Sequence, residues 1–190
     1  MPLRVISGTA GGLLLKSPKR HALRPTQDRI RQVIFSSLAE IVPGARVLDL
    51  YAGTGSFGIE ALSRGAASAT FVEQEKEAIQ CIRDNLAHCH LKGDVREAKV
   101  ETYLAKPPTE SFDLIFADPP YVKSQGQLDD DPLLSQLVPF LAPEGCFIWE
   151  HYAGRRLLNA GDWEVIRHRD YGETGLTFLR FVHKKKKITL

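Results

Sequence analysis

From about residue 45 onward, short apolar runs alternate with stretches whose apolar side chains return every three or four positions. That alternation predicts an α/β fold on a mostly parallel sheet. Strands are expected at 46–50, 69–73, 95–100, 112–117 and 146–150, with helices at 57–64, 77–90 and 132–141. The run at 112–117 is as apolar as a strand covered on both faces must be. Gly65 stands where the helix before it needs a glycine at its C′ position. Two last runs, 163–169 and 176–182, flank a glycine-containing turn and predict an antiparallel hairpin at the sheet's edge. In the order 3-2-1-4-5, strands 1 and 4 meet at the topological switch, where α/β sheets bind ligands.

The first 45 residues follow another rule. Residues 3–24 are glycine-rich and basic and predict a small hairpin or loop. Thr26 is a plausible N-cap for a helix with Ile30, Val33, Ile34, Leu38 and Ile41 at core spacing, leaving Arg29 and Arg31 on its other faces. The expected organisation is an N-terminal basic extension at 1–45, a Rossmann-like body at 46–183 and a basic tail at 184–190.

Charge sharpens this division. The net charge of +2 over 190 residues hides a segment 1–46 with eight basic against two acidic residues, an acidic body, and five basic residues against none from 180 on. Basic ends on an acidic body suggest a polyanionic partner held at the termini. The apolar runs are far shorter than a membrane span requires, and Ser7 and Thr9 interrupt any secretory signal. Three cysteines fit reduced thiols in the cytoplasm better than a disulfide framework. Cys81, His88, Cys89 and His90 suggest zinc, but helical neighbours project about 100° apart and do not converge on one ion, so no metal is expected.

Two loops carry the chemistry. Gly53-Thr54-Gly55-Ser56-Phe57-Gly58 follows the first strand and opens a helix, with Glu73 at the end of the next strand. Glycines there let the backbone approach a ligand, the helix N-terminus offers free N–H groups, and the carboxylate suits a ribose diol. The same pattern serves dinucleotides. Asp49 separates the cases, because a pyrophosphate would meet its negative charge, whereas S-adenosylmethionine brings an ammonium and a sulfonium. The competing role for Asp49 is a carboxylate that caps the loop by accepting backbone N–H groups.

The second loop, Asp118-Pro119-Pro120-Tyr121, follows the 112–117 strand. The prolines remove two donors and stiffen the chain. The Asp118 carboxylate and the Pro119 carbonyl can then accept both hydrogens of an exocyclic amine while Tyr121 supplies a flat face for the base. A nucleobase amine needs this, because its lone pair is conjugated into the ring and gains positive charge during attack on a methyl group.

These motifs resemble class I S-adenosylmethionine-dependent methyltransferases acting on exocyclic amines. Arg4-Val5-Ile6-Ser7-Gly8, Arg24-Pro25-Thr26 with Asp28-Arg29-Ile30-Arg31, the stretch from Gly58 to Ala66, and Tyr171-Gly172-Glu173-Thr174 resemble the RsmD family more narrowly, over nearly the whole chain. That resemblance implies methylation of a guanine N2 in 16S ribosomal RNA, on naked RNA or the assembled small subunit, by a cytoplasmic protein expected to be monomeric. It assigns Asp49, Tyr51, Gly53, Thr54, Gly55, Glu73 and Asp118 to the cofactor, and Asp118, Pro119, Pro120 and Tyr121 to the base. Lys16, Arg24, Thr26, Arg29 and Arg31, with Lys19 and Arg20, would meet RNA phosphates, and the tail Lys184 to Lys187 would add non-specific attraction. The family often carries Asn-Ala or Asp-Ala against the adenine where this chain has Lys99-Val100, so backbone contacts from Val100 take that place. A DNA adenine-N6 methyltransferase and a non-catalytic RNA-binding assembly factor share parts of the pattern, a dehydrogenase fewer.

Overall fold

The computed structural model describes residues 3–18, 25–120, 131–157 and 161–182, with the side chains of 25–27 outside the description. Five parallel strands, β1 (Arg46–Leu50), β2 (Ser68–Glu73), β3 (Asp94–Glu97), β4 (Phe112–Ala117) and β5 (Leu141–Tyr152), are joined to antiparallel β6 (Trp163–Tyr171) and β7 (Thr174–Phe181). Their order is β3-β2-β1-β4-β5-β7-β6. Helix α1 (Pro25–Ser37) precedes the sheet, while α2 (Ser56–Ser63), α3 (Lys76–His88), α4 (Val100–Leu104) and α5 (Pro132–Leu137) lie between strands. The order reverses between β1 and β4, so the loops after both strands open on one crevice.

Strand alternation splits the core in two. Val47, Phe71, Phe116 and Ile148 face one layer, packed with Ile30, Ile34 and Phe35 of α1 and Ile59 of α2. Leu48, Val72, Ile115 and Trp149 face the other, with Leu104 of α4 and Leu134 of α5. The edge hairpin turns at Gly172, whose φ of 62° fits the first central position of a two-residue turn.

The N-terminal segment forms the hairpin alternative. Val5 N–H donates to Leu13 and Leu15 N–H to Leu3 at 2.9 Å each. It docks on α2, where the fully buried Glu60 accepts the N–H of Ile6 (2.7 Å) and Ser7 (3.1 Å) and the guanidinium of Arg64 (2.6 Å). Ser63 accepts from Ala10 N–H at 2.9 Å and donates to the Ser7 carbonyl at 2.6 Å. Gly8 has φ 86°, and a Cβ there would fall 1.8 Å from the Ser63 carbonyl oxygen. Leu3, Val5 and Leu15 thereby enter the same core layer as the sheet.

Several boundaries differ from the sequence reading. Helix α1 starts at Pro25, a residue suited to the first helical position, so Thr26 lies inside the helix and is not its cap. It ends at Ser37 and the chain turns, leaving Ile41 47% exposed and Val33 half-buried while Phe35 and Val42 fill the core. Helix α5 stops at Leu137 because Pro139 brings no N–H, giving a 3-10 turn over Val138–Phe140, and Leu141 already begins β5. The third strand stops at Glu97, and Val100 opens α4. The tail at 184–190 lies outside the described residues.

Replacing Glu60 with alanine strands two amides and the Arg64 guanidinium around a cavity. We expect a loss of about 3 kcal/mol, read as a lower Tm by thermal unfolding, with Leu14→Ala on the exposed side of the hairpin nearly neutral.

Candidate functional site

Each strand bordering the crevice carries an acid near its C-terminal end or directly after it, in phase with the apolar residues of one core layer. Asp49 follows Val47 on β1 and Glu73 follows Phe71 on β2; Asp118 comes just after Phe116 and Ala117 of β4, and Glu150 follows Ile148 on β5. Glu73, Asp118 and Glu150 line a cavity of about 370 Å3 together with the loop at 51–54 and the prolines 119 and 120. That volume falls within the range of small-molecule sites.

The glycine loop is held by side chains from below. Tyr51, Gly53 and Gly55 have φ of 56°, 54° and 75°, so the backbone turns sharply, and Gly55 N–H donates back to the Ala52 carbonyl at 2.7 Å. Glu73 accepts Gly53 N–H at 2.8 Å with one oxygen, and Gln74 and Glu75 N–H at 2.7 and 2.9 Å with the other. Asn85, fully buried on α3, donates to the carbonyls of Thr54 and Lys16 at 3.0 Å each and accepts Lys16 N–H at 2.7 Å. One amide thus joins the loop, α3 and the N-terminal segment. The following helix is packed so closely that a Cβ on Gly58 would lie 2.3 Å from the Phe71 ring.

Asp49 takes the loop-capping role. It is 1% exposed, lies outside the cavity lining, and accepts Gly58 N–H at 2.9 Å. Burial pushes its carboxyl up to about 8; the Gly58 bond opposes the rise and the nearby Glu73 charge adds to it. Asp49 thereby supports the loop from beneath. Tyr51 lines the cavity and donates to Glu101 at 3.3 Å, with burial raising its pKa.

The structure separates the expected RNA-binding cations. Arg29 is exposed on α1. Arg31, expected on a solvated face, is 2% exposed because it reaches back under the hairpin: one nitrogen donates to the Arg4 carbonyl and to Asp28 at 2.9 Å. Burial lowers its pKa against the Asp28 and Glu60 charges, its Nε has no hydrogen-bond partner, and it lines the cavity. Arg31 is therefore part of the cavity wall and not of the outer surface. Lys16 is 67% exposed and pairs with Asp84 at 2.8 Å. Arg24, Lys19, Arg20 and Tyr121 lie outside the described residues, as does the Thr26 side chain.

The end of the third strand is a correction, and Val100 lies beyond it. As the first residue of α4 its side chain is 4% exposed in the second core layer, and it does not line the cavity; Gln74 and Glu75, directly after β2, do. A third-strand reading that ran three residues too far misplaced it. Sequence reasoning also missed Glu150 and Asn85, whose signal was a polar residue at an apolar-phase position within a strand or helix. Among the described residues no three His, Cys, Asp or Glu side chains form a group able to hold a metal ion.

A family model described as conserved hypothetical protein 95 matches residues 3–180. The chain belongs to this family, the RsmD family. It is 33% identical over 174 residues to Escherichia coli ribosomal RNA small subunit methyltransferase D, covering 90% of this chain and 86% of that protein. It is 33% identical over 189 residues to Bacillus subtilis YlbH, covering 97% and 100%. The solved structure of Escherichia coli yhhF superimposes with a TM-score of 0.83 at 29% identity, covering 97% and 100%. Much of the RsmD-like sequence signature now has a structural reason. Gly8 permits the hairpin to touch Ser63, Glu60 and Ser63 receive it, Asp28 and Arg31 brace it, and Gly172 turns the edge hairpin.

The raised Asp49 pKa fixes a pH dependence. The folded protein holds this proton up to about 8 and the unfolded chain releases it near 4, so the group's stabilising contribution is complete below about 4 and lost as pH rises through 8. Asp49→Asn keeps an acceptor for Gly58 N–H without a charge. The ligand-free variant is expected to match the wild type near pH 4 and exceed it by about 1–3 kcal/mol at pH 9, measured by denaturant unfolding.

Proposed function

We propose that this protein transfers a methyl group from S-adenosylmethionine to the exocyclic N2 of a guanine in small-subunit ribosomal RNA. One observation carries the reading: a single cavity has Glu73 and the glycine loop at one end and Asp118, Pro119 and Pro120 at the other. The first end suits a nucleoside whose ribose hydroxyls donate to Glu73, and the acid-rich wall favours a cation over a pyrophosphate. When bound, the cofactor supplies an electrophilic methyl group on a sulfonium.

The chain's own residues then position the base. The Asp118 carboxylate and the Pro119 carbonyl accept the two N2 hydrogens, which turns the nitrogen lone pair out of conjugation and toward the methyl group. The same acceptors stabilise the charge that N2 gains as its bond to the methyl group forms and the methyl–sulfonium bond breaks, and the surplus N2 proton then passes to the Asp118 carboxylate, so no prior deprotonation is needed. Tyr121, next in sequence, is assigned to stack on the base. Membership of a family that includes ribosomal RNA small subunit methyltransferase D supports ribosomal RNA as substrate. Arg29 offers an exposed cation for phosphates, and the exposed Lys16–Asp84 pair is weak enough for Lys16 to exchange its partner for one. Arg24 and Thr26, close to Arg29 in sequence, are assigned the same role. The reading places the protein in the cytoplasm as a monomer; no helix of the described residues is long and apolar enough to cross a membrane.

Asp118→Ala is expected to lower methyl transfer to undermethylated small subunits by at least about 100-fold while S-adenosylmethionine affinity, by calorimetry, changes little. Unchanged transfer by this variant would contradict the mechanism.

A further inference from the structure

We propose that Glu150 reads the N1–H of the target guanine and is the residue that selects guanine over adenine. The proposal rests on the guanine-N2 reading above. Strands β4 and β5 pair in parallel register, Phe116 with Ile148 and Ala117 with Trp149. Glu150 comes next on β5 and Asp118 directly after the end of β4, and both line the cavity. Neighbouring strands lie about 4.8 Å apart, so the sheet brings the two residues to adjacent places on the cavity wall. The backbone of Glu150 is fixed from its other side by pairing with Leu176 of β7.

Glu150 is 5% exposed, with the buried Ile148 before it on the same face of β5 and the buried Leu176 paired with it on β7. A near-buried acid on a central strand carries a desolvation cost that an apolar side chain avoids. The base chemistry gives that acid a purpose. Guanine presents its 2-amine directly beside N1–H, so its edge is a row of donors. With Asp118 and the Pro119 carbonyl engaged by the amine, N1–H is the remaining donor, and a neighbouring carboxylate makes a charge-assisted bond to it. Adenine presents its amine beside the N1 lone pair, and cytosine beside the N3 lone pair. Either would set an acceptor against the Glu150 carboxylate, and a site built to bond a donor strongly rejects an analogue that lacks it.

The test uses small-subunit RNA in which the guanine mapped as the target is replaced, by ligation, with 2-aminopurine. That base keeps the 2-amine and carries a lone pair at N1. Wild-type protein is expected to favour the guanine substrate in kcat/KM by about 10- to 100-fold, the value of one hydrogen bond to a charged group. Glu150→Gln, whose amide can donate to the N1 lone pair or accept from N1–H, is expected to erase the preference. Thermal unfolding and S-adenosylmethionine binding are followed in parallel to show that the variant is folded. A variant slower on both substrates with the preference intact means that Glu150 is only structural and overturns the proposal. A wild-type enzyme indifferent to the two bases overturns it without any variant and leaves the guanine-N2 reading standing. Absence of methyl on any guanine N2 removes that reading and the proposal with it.

Discussion

The site depends on one constraint: a backbone loop with left-handed residues at Tyr51, Gly53 and Gly55 must stay in place outside the regular pairing of the sheet. Side chains from three elements supply the missing bonds. Asp49 of β1 receives Gly58 N–H, Glu73 of β2 receives Gly53 N–H, and Asn85 of α3 holds the Thr54 carbonyl. Each is almost fully buried, so each bond is made where water does not compete, and leaving any partner unpaired would be costly. Glu73 has two duties, because the carboxylate that ties the loop also lines the cavity.

The N-terminal hairpin extends the same logic. It brings Leu3 and Ser17 to the cavity and is locked to α2 by Glu60 and Ser63, while Arg31 reaches across from α1 to the Arg4 carbonyl. A basic segment that charge arithmetic offers as an RNA grip is therefore also a wall of the site. Its cations divide accordingly, with Arg31 inside and Arg29 outside. Exposed cations and a wall of the cavity meet on one short stretch of chain.

The strands were readable because parallel strands are buried on both faces and appear as continuous apolar runs, as 46–50 and 112–117 do. Both functional loops were readable because their glycines and prolines have few other uses at strand ends. Helix ends were harder. Ile41 matched the helical period but follows a turn, and Leu141 matched α5 but follows Pro139, since periodicity does not register where a backbone changes direction. Val100 was misplaced by a strand end, and Arg31 by the assumption that an arginine in a basic segment faces solvent. Glu150 and Asn85 are single polar residues in apolar surroundings, and only the register of β4 with β5 and the approach of α3 to the loop show what they meet.

The central claim is that the acid-lined end of the cavity presents a guanine amine to a methyl donor. Its most direct test is mass-spectrometric mapping of the modified nucleotide after incubation with S-adenosylmethionine and, separately, undermethylated small ribosomal subunits or unmethylated DNA. The account predicts a single N2-methylguanine in the ribosomal RNA. Methylation of adenine N6 in DNA, or no methyl transfer to ribosomal RNA, would contradict it.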